Sequence, residues 1–488
     1  MLQENKDKQR DFPLRLLTLR LLTLLNHFNN MSLVRKILYI SLLYTSTLFS
    51  GSLVEAFNHA NMHNHNMKLA HSQLNIELAS KIYQNKRKNI KLIADGFGRY
   101  YFPQASGLDN TNFNLPKKTV RESFLKGNVN ITLSKELYNK EKDALCALAI
   151  ENVKKASQNI NQNRNHLLLD LIHQYFKVLE NYDTFILSQE RYIFSNQELE
   201  EARIEYNVGE LDHIAYQLIK SKNLELKVAQ NIYFNRVKNA IDDFELISQV
   251  KLKSFQPLEK NIFYNKKSIP SLQSYQEHII STNPNLLKLD KDITISQKNI
   301  ALTEAKYEPY LTAKMGYEYT NNFTPIFLGN TYESGVFIRL SGTIPIYTAG
   351  RYKAEMQKAK VAVIEKHGIK DKEENQLLVA LKKEYRLYHS IPLEIEALRS
   401  HLQTLKLLEN QAKRKIEVGT ISFLEKERIS LQYSERFNDL KRLEYNYFLA
   451  DTNIKFLSGT LNISELKKLE NELEATEISI KNLDNLII

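Results

Sequence analysis

The chain has 488 residues, of which 25% are charged and 43% hydrophobic, and its formal net charge is +11. With only 14 Gly, 10 Pro and no Trp, the composition predicts long elements with few turns. Lys and Arg are spread along predicted helical faces, which indicates solvated surfaces and does not favour nucleic-acid binding. Cys146 is the only cysteine, which excludes an intrachain disulfide, a four-cysteine zinc site and a lipid-bearing cysteine near the N-terminus.

The beginning of the chain has the pattern of an export signal. Within residues 31–51, Arg35 and Lys36 precede an apolar run at 37–49, and small residues follow. The run is too short to span a bilayer comfortably, although a retained membrane anchor stays an alternative. We interpret residues 1–30 as an over-called N-terminal extension and expect the mature chain to begin near residues 51–53.

The remainder contains an internal duplication with a constant offset of 210 residues. Duplication at a fixed offset predicts two structurally equivalent halves. We assign residues 52–248 to the first repeat, 249–270 to an irregular connector, 271–462 to the second repeat and 463–488 to a C-terminal tail. The matching positions are Leu168 and Leu378, Leu171 and Leu381, Tyr175 and Tyr385, Val208-Gly209 and Val418-Gly419, Ala240 and Ala450, and Ser248 and Ser458.

Each half is predicted to hold helices, a pair of strands and a helical hairpin, in that order. Apolar residues spaced 3, 4 and 3 apart, with no intervening proline, predict one very long helix over 139–207. The predicted elements of the first half are helical 52–94 with a break near Asn64, strands near 97–107 and 127–138, and helices 139–207 and 210–247. Those of the second half are helical 271–305, strands near 309–320 and 333–347, and helices 349–415 and 420–457.

The predicted strands alternate between apolar and polar side chains. Val336, Ile338, Leu340, Ile344 and Ile346 are separated by polar or aromatic residues. An alternating segment of about ten residues has the size and pattern of an outer-membrane strand, although a half-buried soluble sheet gives the same alternation. Four strands cannot close a barrel, and a lipid bilayer tolerates no open sheet edge. If these strands enter lipid, several chains must therefore share one barrel.

Six segments of the chain match the motifs of a known family: SLVEAFNHANMHNHNM (52–67), SLQSYQEHIISTNPNLL (271–287), AKYEPYL (305–311), LSGTIPIYTAGRYKAEMQKAK (340–360), EVGTISFLEKERISLQYSE (417–435) and FLSGTLN (456–462). With these segments the chain resembles the TolC family of outer-membrane channel proteins. The resemblance covers residues 52–462, and each motif is loose, whereas their order, spacing and duplication are specific. The chain departs from the family at His65, where the family has Pro, and at Gln249, where Gly is expected after Ser248.

This resemblance implies a mainly α-helical protein with a small β part. Three chains would form a 12-stranded barrel in the outer membrane, continued by an α-helical barrel in the periplasm. The implied partners are two further copies, a periplasmic adaptor, an inner-membrane transporter of the RND or ABC class and outer-membrane lipid, with no cofactor. The implied function is a passive exit duct for efflux or type I protein secretion.

The resemblance also places the functional residues. The helix-hairpin tips that would dock the adaptor are Val208 and Gly209 in the first half and Val418 and Gly419 in the second. Glu425 stands where the family has an acidic residue of the inner constriction. Arg428 replaces the next acidic position, and Ile421 stands where a basic residue helps to lock the closed tip. Glu425 as an ordinary solvated helix charge, paired with Arg428, remains an alternative.

Two other classes of protein were weighed. The chain has no glycine-rich phosphate loop and no zinc-protease or serine-hydrolase motif, so we do not predict an enzyme. His59, His63, His65 and His71 form the best metal candidate, but surface histidines near a helix break explain them more simply. A membrane-anchored periplasmic coiled-coil scaffold is the alternative function. It does not account for the strand pairs.

Overall fold

A computed structural model describes residues 52–106, 120–258, 270–323, 330–417, 420–421, 423–474 and 476–480. The predicted extension at 1–30 and the predicted signal at 31–51 lie outside these residues. Val418 and Gly419, the predicted second tip, also lie outside them.

The described elements follow the predicted order in both halves. The first half contains α1 (Leu53–His63), α2 (His65–Lys86), β1 (Lys91–Ser106), β2 (Val120–Asn139), α3 (Lys140–Val208), α4 (His213–Ser248) and β3 (Ser254–Phe255). The second half contains α5 (Leu272–Thr282), α6 (Pro284–Ala305), β4 (Tyr310–Phe323), β5 (Asn330–Thr343), α7 (Arg351–Glu417), α8 (Phe423–Leu457), α9 (Ile463–Glu470) and β6 (Ile478–Ser479).

The two longest helices define the length of the molecule. Helix α3 has 69 residues and α7 has 67, so at 1.5 Å per residue each is about 100 Å long. The side chain of Asn139 caps the start of α3 by accepting a hydrogen bond from the backbone N–H of Lys142. Gly209 ends α3 with φ of 82°, a left-handed conformation that glycine adopts without a Cβ penalty.

The helices form two layers, one above the other along α3 and α7. In the layer next to the sheet the order of neighbours is α2, α3, α6, α7, and in the layer next to the hairpin tips it is α4, α3, α8, α7. The sheet has the order β1-β2-β4-β5, with every pair antiparallel. Each layer is therefore four elements wide, with a first-half element at one edge and a second-half element at the other.

The hydrophobic core lies between the helices and repeats from one half to the other. Leu171 and its counterpart Leu381 are both 0% exposed, and Ala240 and Ala450 are equally buried. In the first half the predicted stripe of Leu168, Leu171, Tyr175 and Val178 is buried throughout. The apolar spacing of α3 thus serves the packing of the helices against one another.

The two halves use the same joint between their first two helices. Asn64 caps α2, and its Nδ2 donates to the carbonyl oxygen of Ile247 at 3.0 Å. Asn283 caps α6, and its Nδ2 donates to the carbonyl oxygen of Leu457 at 2.8 Å. His65 therefore takes the place of a proline without changing this joint, because the asparagine supplies both the cap and the cross-helix bond.

Some boundaries differ from the sequence prediction. Helix α2 ends at Lys86 and β1 begins at Lys91, so the predicted helical segment 52–94 was too long. Strand β5 ends at Thr343, which leaves Ile344 and Ile346 beyond it. Pro345 lies between them and has no backbone N–H to continue the strand pairing.

The described part of the connector, which was predicted to be irregular, pairs with the described part of the tail. Strand β3 of the connector pairs with β6 of the tail, and Leu258 forms a bridge with Leu473. Phe255 and Leu258 are fully buried in the first-half core. The Tyr175 hydroxyl donates to the carbonyl oxygen of Gln256 at 2.8 Å, which fixes the connector against α3.

Candidate functional site

The sheet has an inverted pattern of exposure along β2, one of its two inner strands, because the apolar residues are more exposed than the polar ones. Val129, Ile131 and Leu133 are 55%, 49% and 37% exposed, whereas the polar residue Asn128 is 6% exposed. Thr132 and Ser134, on the same face as Asn128, are only partly exposed. A soluble sheet buries its apolar face, whereas this sheet exposes its apolar face in the single chain.

Neighbouring strands continue the apolar face. The strand register places Tyr317 opposite Ile131 and Val336 opposite Tyr317. Ile338, opposite Met315, is 82% exposed. An apolar face that extends across all four strands and is exposed on each of them is suited to hydrocarbon.

The opposite face is polar and internally hydrogen-bonded. The Nδ2 group of Asn128 donates to Glu318 Oε1 at 3.0 Å and to Thr320 Oγ1 at 2.8 Å. The Nδ2 group of Asn130 donates to Asp95 Oδ2 at 3.3 Å. These bonds join three strands on the polar face, on which Asp95 and Glu318 are themselves exposed.

The sheet has two open edges in one chain. Strands β1 and β5 each pair with a single neighbour in the described sheet. An unpaired strand edge exposes a row of N–H and C=O groups, which is costly in lipid. The helical layers have matching edges at α2 and α4 on one side and α7 on the other.

Polar contacts join the two halves where α3 packs against α8, in the layers of helices that we call the helical wall. The Tyr445 hydroxyl donates to the Asp183 carboxylate, and His173 Nε2 lies 2.8 Å from Asn453 Oδ1. Burial raises the pKa of Asp183 to about 6, although the bond from Tyr445 opposes this shift. These contacts fix α8 of the second half against α3 of the first.

The first hairpin tip is a tight turn between α3 and α4. The backbone N–H of Glu210 donates to the carbonyl oxygen of Glu205 across Gly209. Asp212 caps α4 by accepting from the N–H groups of Ile214 and Ala215. Val208 is 65% exposed, so this tip presents an apolar side chain to its surroundings.

A charged cleft of about 430 Å³ lies near the first hairpin tip. Arg428 of α8 lies 3.9 Å from the carboxylate of Glu198 in α3. Burial raises the pKa of Glu198, and Arg428 opposes this shift. The residues that line the cleft are Glu198, Glu201, Ala202, Glu205, Leu218, Ile219, Lys222 and Arg428.

This fold occurs in solved outer-membrane channels. CmeC of Campylobacter jejuni superposes with a TM-score of 0.64 over 87% of this chain and 90% of its own, at 14% identity. MtrE of Neisseria gonorrhoeae superposes with a TM-score of 0.60 over 84% and 89%, at 15% identity. VceC of Vibrio cholerae gives 0.60 over 83% and 96%, at 11% identity. The chain has the fold of the TolC family of outer-membrane channels.

One curated relative also matches in sequence. The alkaline protease secretion protein AprF of Pseudomonas aeruginosa is 19% identical over 260 residues. The match covers 52% of this chain and 51% of AprF, so the chain spans about half the length of that relative. No family model matches the chain.

The proteins that share the TolC fold with this chain are membrane channels and not enzymes. No group of three or more His, Cys, Asp or Glu side chains within the described ranges could hold a metal ion. In the histidine group singled out from the sequence, the rings of His59 and His63 lie 4.3 Å apart. Within the same ranges, no helix combines the length and hydropathy required for a membrane span.

The predicted constriction residues occupy the start of α8 and the turn before it. Glu425 is exposed in the first turn, and Ile421 is half-buried just before the helix. Arg428 lies one turn further on, against Glu198 of the neighbouring helix. The role of the three residues in a constriction stays a prediction, as does the adaptor-docking role of the two tips.

Two contacts between the halves were not predicted from the sequence. The pairs Asp183–Tyr445 and Glu198–Arg428 join residues that are far apart in the chain, and neither lies in a motif. The alternation on β2 was visible in the sequence, because Val129, Ile131 and Leu133 alternate there with Asn130, Thr132 and Ser134.

Proposed function

We propose that this protein is the outer-membrane exit duct of a tripartite efflux or type I secretion system. Three chains form a 12-stranded barrel in the outer membrane, and their helices continue it as a tunnel through the periplasm. The duct performs no reaction and conducts substrates that an inner-membrane pump delivers.

The inverted exposure on β2 is the observation that carries this proposal. An inner strand that exposes its apolar residues and shelters its amides has the alternation of a barrel strand whose apolar face meets lipid. The open edges of β1 and β5 support closure by further copies, because four strands cannot form a barrel. Twelve strands from three copies would leave no edge.

An exposed apolar stripe supports the same assembly in the helical part. Leu69, Ile76 and Tyr83 of α2 are spaced seven residues apart and are 68%, 60% and 63% exposed. A seven-residue apolar repeat is typical of a helix that packs along another helix. We infer that this stripe on the edge helix α2 packs against α7 of the next copy, where Ile364 is 69% exposed.

The first hairpin tip lies at the opposite end of the molecule from the sheet, as do the end of α7 and the start of α8, which flank the second tip. We infer that the two tips meet a periplasmic adaptor and an RND or ABC transporter of the inner membrane. The fold of CmeC and MtrE and the partial similarity to a secretion protein support this partnership, without choosing between efflux and secretion.

Fractionation and electrical recording together test the proposal. The protein expressed in its native host should separate with the outer membrane, with an N-terminus near residues 51–53. Purified into planar bilayers, it should produce discrete conducting channels. Recovery in the inner membrane with an intact N-terminus, and no channel activity, would favour the coiled-coil scaffold instead.

A further inference from the structure

Two rows of residues on the polar face of the sheet carry opposite charges. The strand register aligns Lys91, Ser134, Lys314 and Arg339 across the four strands. We call Lys91, Lys314 and Arg339 the basic row. Four residues further along each strand, the register aligns Asp95, Asn130 and Glu318, and we call Asp95 and Glu318 the acidic row.

The acidic row is hydrogen-bonded from within the sheet. Asn130 donates to Asp95, and Asn128 donates to Glu318, so each carboxylate has an amide donor beside it. The carboxylates of this row therefore have hydrogen-bond partners within the sheet.

The basic row has no comparable support. Lys314 and Arg339 lie directly opposite each other on β4 and β5, and all three cations of the row are exposed. Like charges directly opposite on neighbouring strands destabilise a sheet. Among the described residues, no ion pair joins any of the three to a carboxylate. The Arg339 guanidinium lies 5.3 Å from the centre of the Phe337 ring, which positions it without neutralising it.

The acidic row is too distant to neutralise the basic row. Four residues of strand at about 3.3 Å each separate the two rows by roughly 13 Å. This exceeds the screening length of about 8 Å at physiological ionic strength. Glu136, which is closer to the basic row on β2, is already ion-paired with Lys142. A positive potential therefore remains on the polar face, at the level where β1 begins and the strands meet the helices.

We propose that the basic row is a binding belt for anionic groups of substrates that pass through the barrel. This inference rests on the proposed function, because it requires the polar face to line the lumen. Three copies would contribute nine cations at one level. Lys and Arg side chains that line a pore attract anions, and the planar guanidinium of Arg339 suits the oxygens of phosphate, sulfate or carboxylate groups. The belt favours anionic cargo at the periplasmic end of the barrel.

Block of single channels by inorganic pyrophosphate tests this belt. Pyrophosphate should reduce the current through the wild-type channel in low salt. In the double variant Lys314→Gln/Arg339→Gln, the concentration for half-block should rise roughly tenfold, as expected when two exposed charge contacts are lost. Equal conductance of variant and wild type in high salt would show that the barrel itself is intact.

Lys135→Gln provides the matched control. Lys135 follows Ser134 of the same row, so its side chain leaves the opposite, apolar face of β2. Pyrophosphate block should be unchanged in this variant. Unchanged block in the double variant, or equal loss of block in Lys135→Gln, would contradict the belt while leaving the channel proposal standing. A wild-type protein that forms no channel would contradict the proposed function itself.

Discussion

The hydroxyl of Tyr445 donates a hydrogen bond to the carboxylate of Asp183, 262 residues earlier in the chain. Tyr445 is 3% exposed and lies in α8, whereas Asp183 lies in α3. Lys441, Glu444 and Glu180 also face the carboxylate. The bond joins the two repeats at a buried point of the wall. Removing either partner there leaves the other buried without its hydrogen bond.

The stability of the wall should depend on pH through Asp183. Burial raises its pKa from 3.8 to about 6 in the folded protein, so the folded state binds this proton more tightly than the unfolded state. The contribution of Asp183 to the free energy of unfolding is fully present below about pH 4 and is lost as the pH rises through about 6. It totals about 3 kcal/mol. Thermal unfolding of Asp183→Asn should show a smaller change between pH 4 and 7 than the wild type shows.

Tyr445→Phe provides the comparison for that measurement. It removes the hydrogen bond to Asp183 and keeps the ring, so it should destabilise the protein by about 1–3 kcal/mol at pH 7. The loss should be smallest at pH 4, where the carboxyl is already protonated. An equal loss at both pH values would show that the bond does not depend on the charge of Asp183.

The two halves should respond differently to substitution at the turn that ends their second hairpin helix. Gly459 has φ of 73°, and a Cβ there would lie 2.6 Å from the carbonyl oxygen of Thr282. Gly459→Ala should destabilise the protein by more than the roughly 1 kcal/mol of left-handed strain, because the clash is with backbone. Gln249 has φ of 58° at the matching position, so Gln249→Gly should be neutral or slightly stabilising. Thermal unfolding midpoints that fell equally for both variants would contradict this.

An aspartate should impair membrane insertion when it is introduced on one face of β5 and should have little effect on the other face. Ile338 lies on the apolar face and Ser341 on the polar face of the same strand. Ile338→Asp should impair membrane insertion, by less than the about 2–4 kcal/mol known for basic residues at the bilayer midplane. Ser341→Asp should be mild. The yield of each variant in the outer-membrane fraction measures this difference. Equal yields would contradict the assignment of Ile338 to the lipid-facing side and Ser341 to the polar side.

Glu425 should contribute to cation binding at the inner tip if three copies bring it onto a common axis. Neighbouring carboxylates attract cations, so Glu425→Gln should weaken block by divalent and trivalent cations in planar bilayers. Glu435→Gln, on the same helix but in an ion pair with Arg191 at 2.8 Å, is a suitable control. Unchanged block in Glu425→Gln would leave Glu425 as a surface charge.

The sequence predicted those parts of the fold in which a local pattern of residues also determines how the element packs. The constant offset between the halves located both hairpins, and the apolar spacing of α3 predicted its burial. The start of β1 was missed because Ala94, Gly96 and Gly98 give its apolar face little hydrophobic signal. The pairing of β3 with β6 was missed because two-residue strands carry no periodicity.

The candidate sites were less predictable than the fold. Glu425 was found only through a family resemblance, since a single carboxylate on a helix carries no signal of its own. The contact of Arg428 with Glu198 depends on how α8 packs against α3. The basic row depends on the register between β4 and β5, and a shift of one residue would place Arg339 on the other face.

The mass of the detergent-extracted native assembly tests the central claim most directly. The open edges of β1 and β5 require closure by further copies, so native mass spectrometry should find three chains of about 57 kDa less the signal segment. Leu69→Glu, in the stripe on α2, should weaken that assembly, whereas Lys81→Glu on the same helix should leave it unchanged. A stable trimer is the predicted result. A stable monomer or dimer with a folded sheet would contradict the shared barrel.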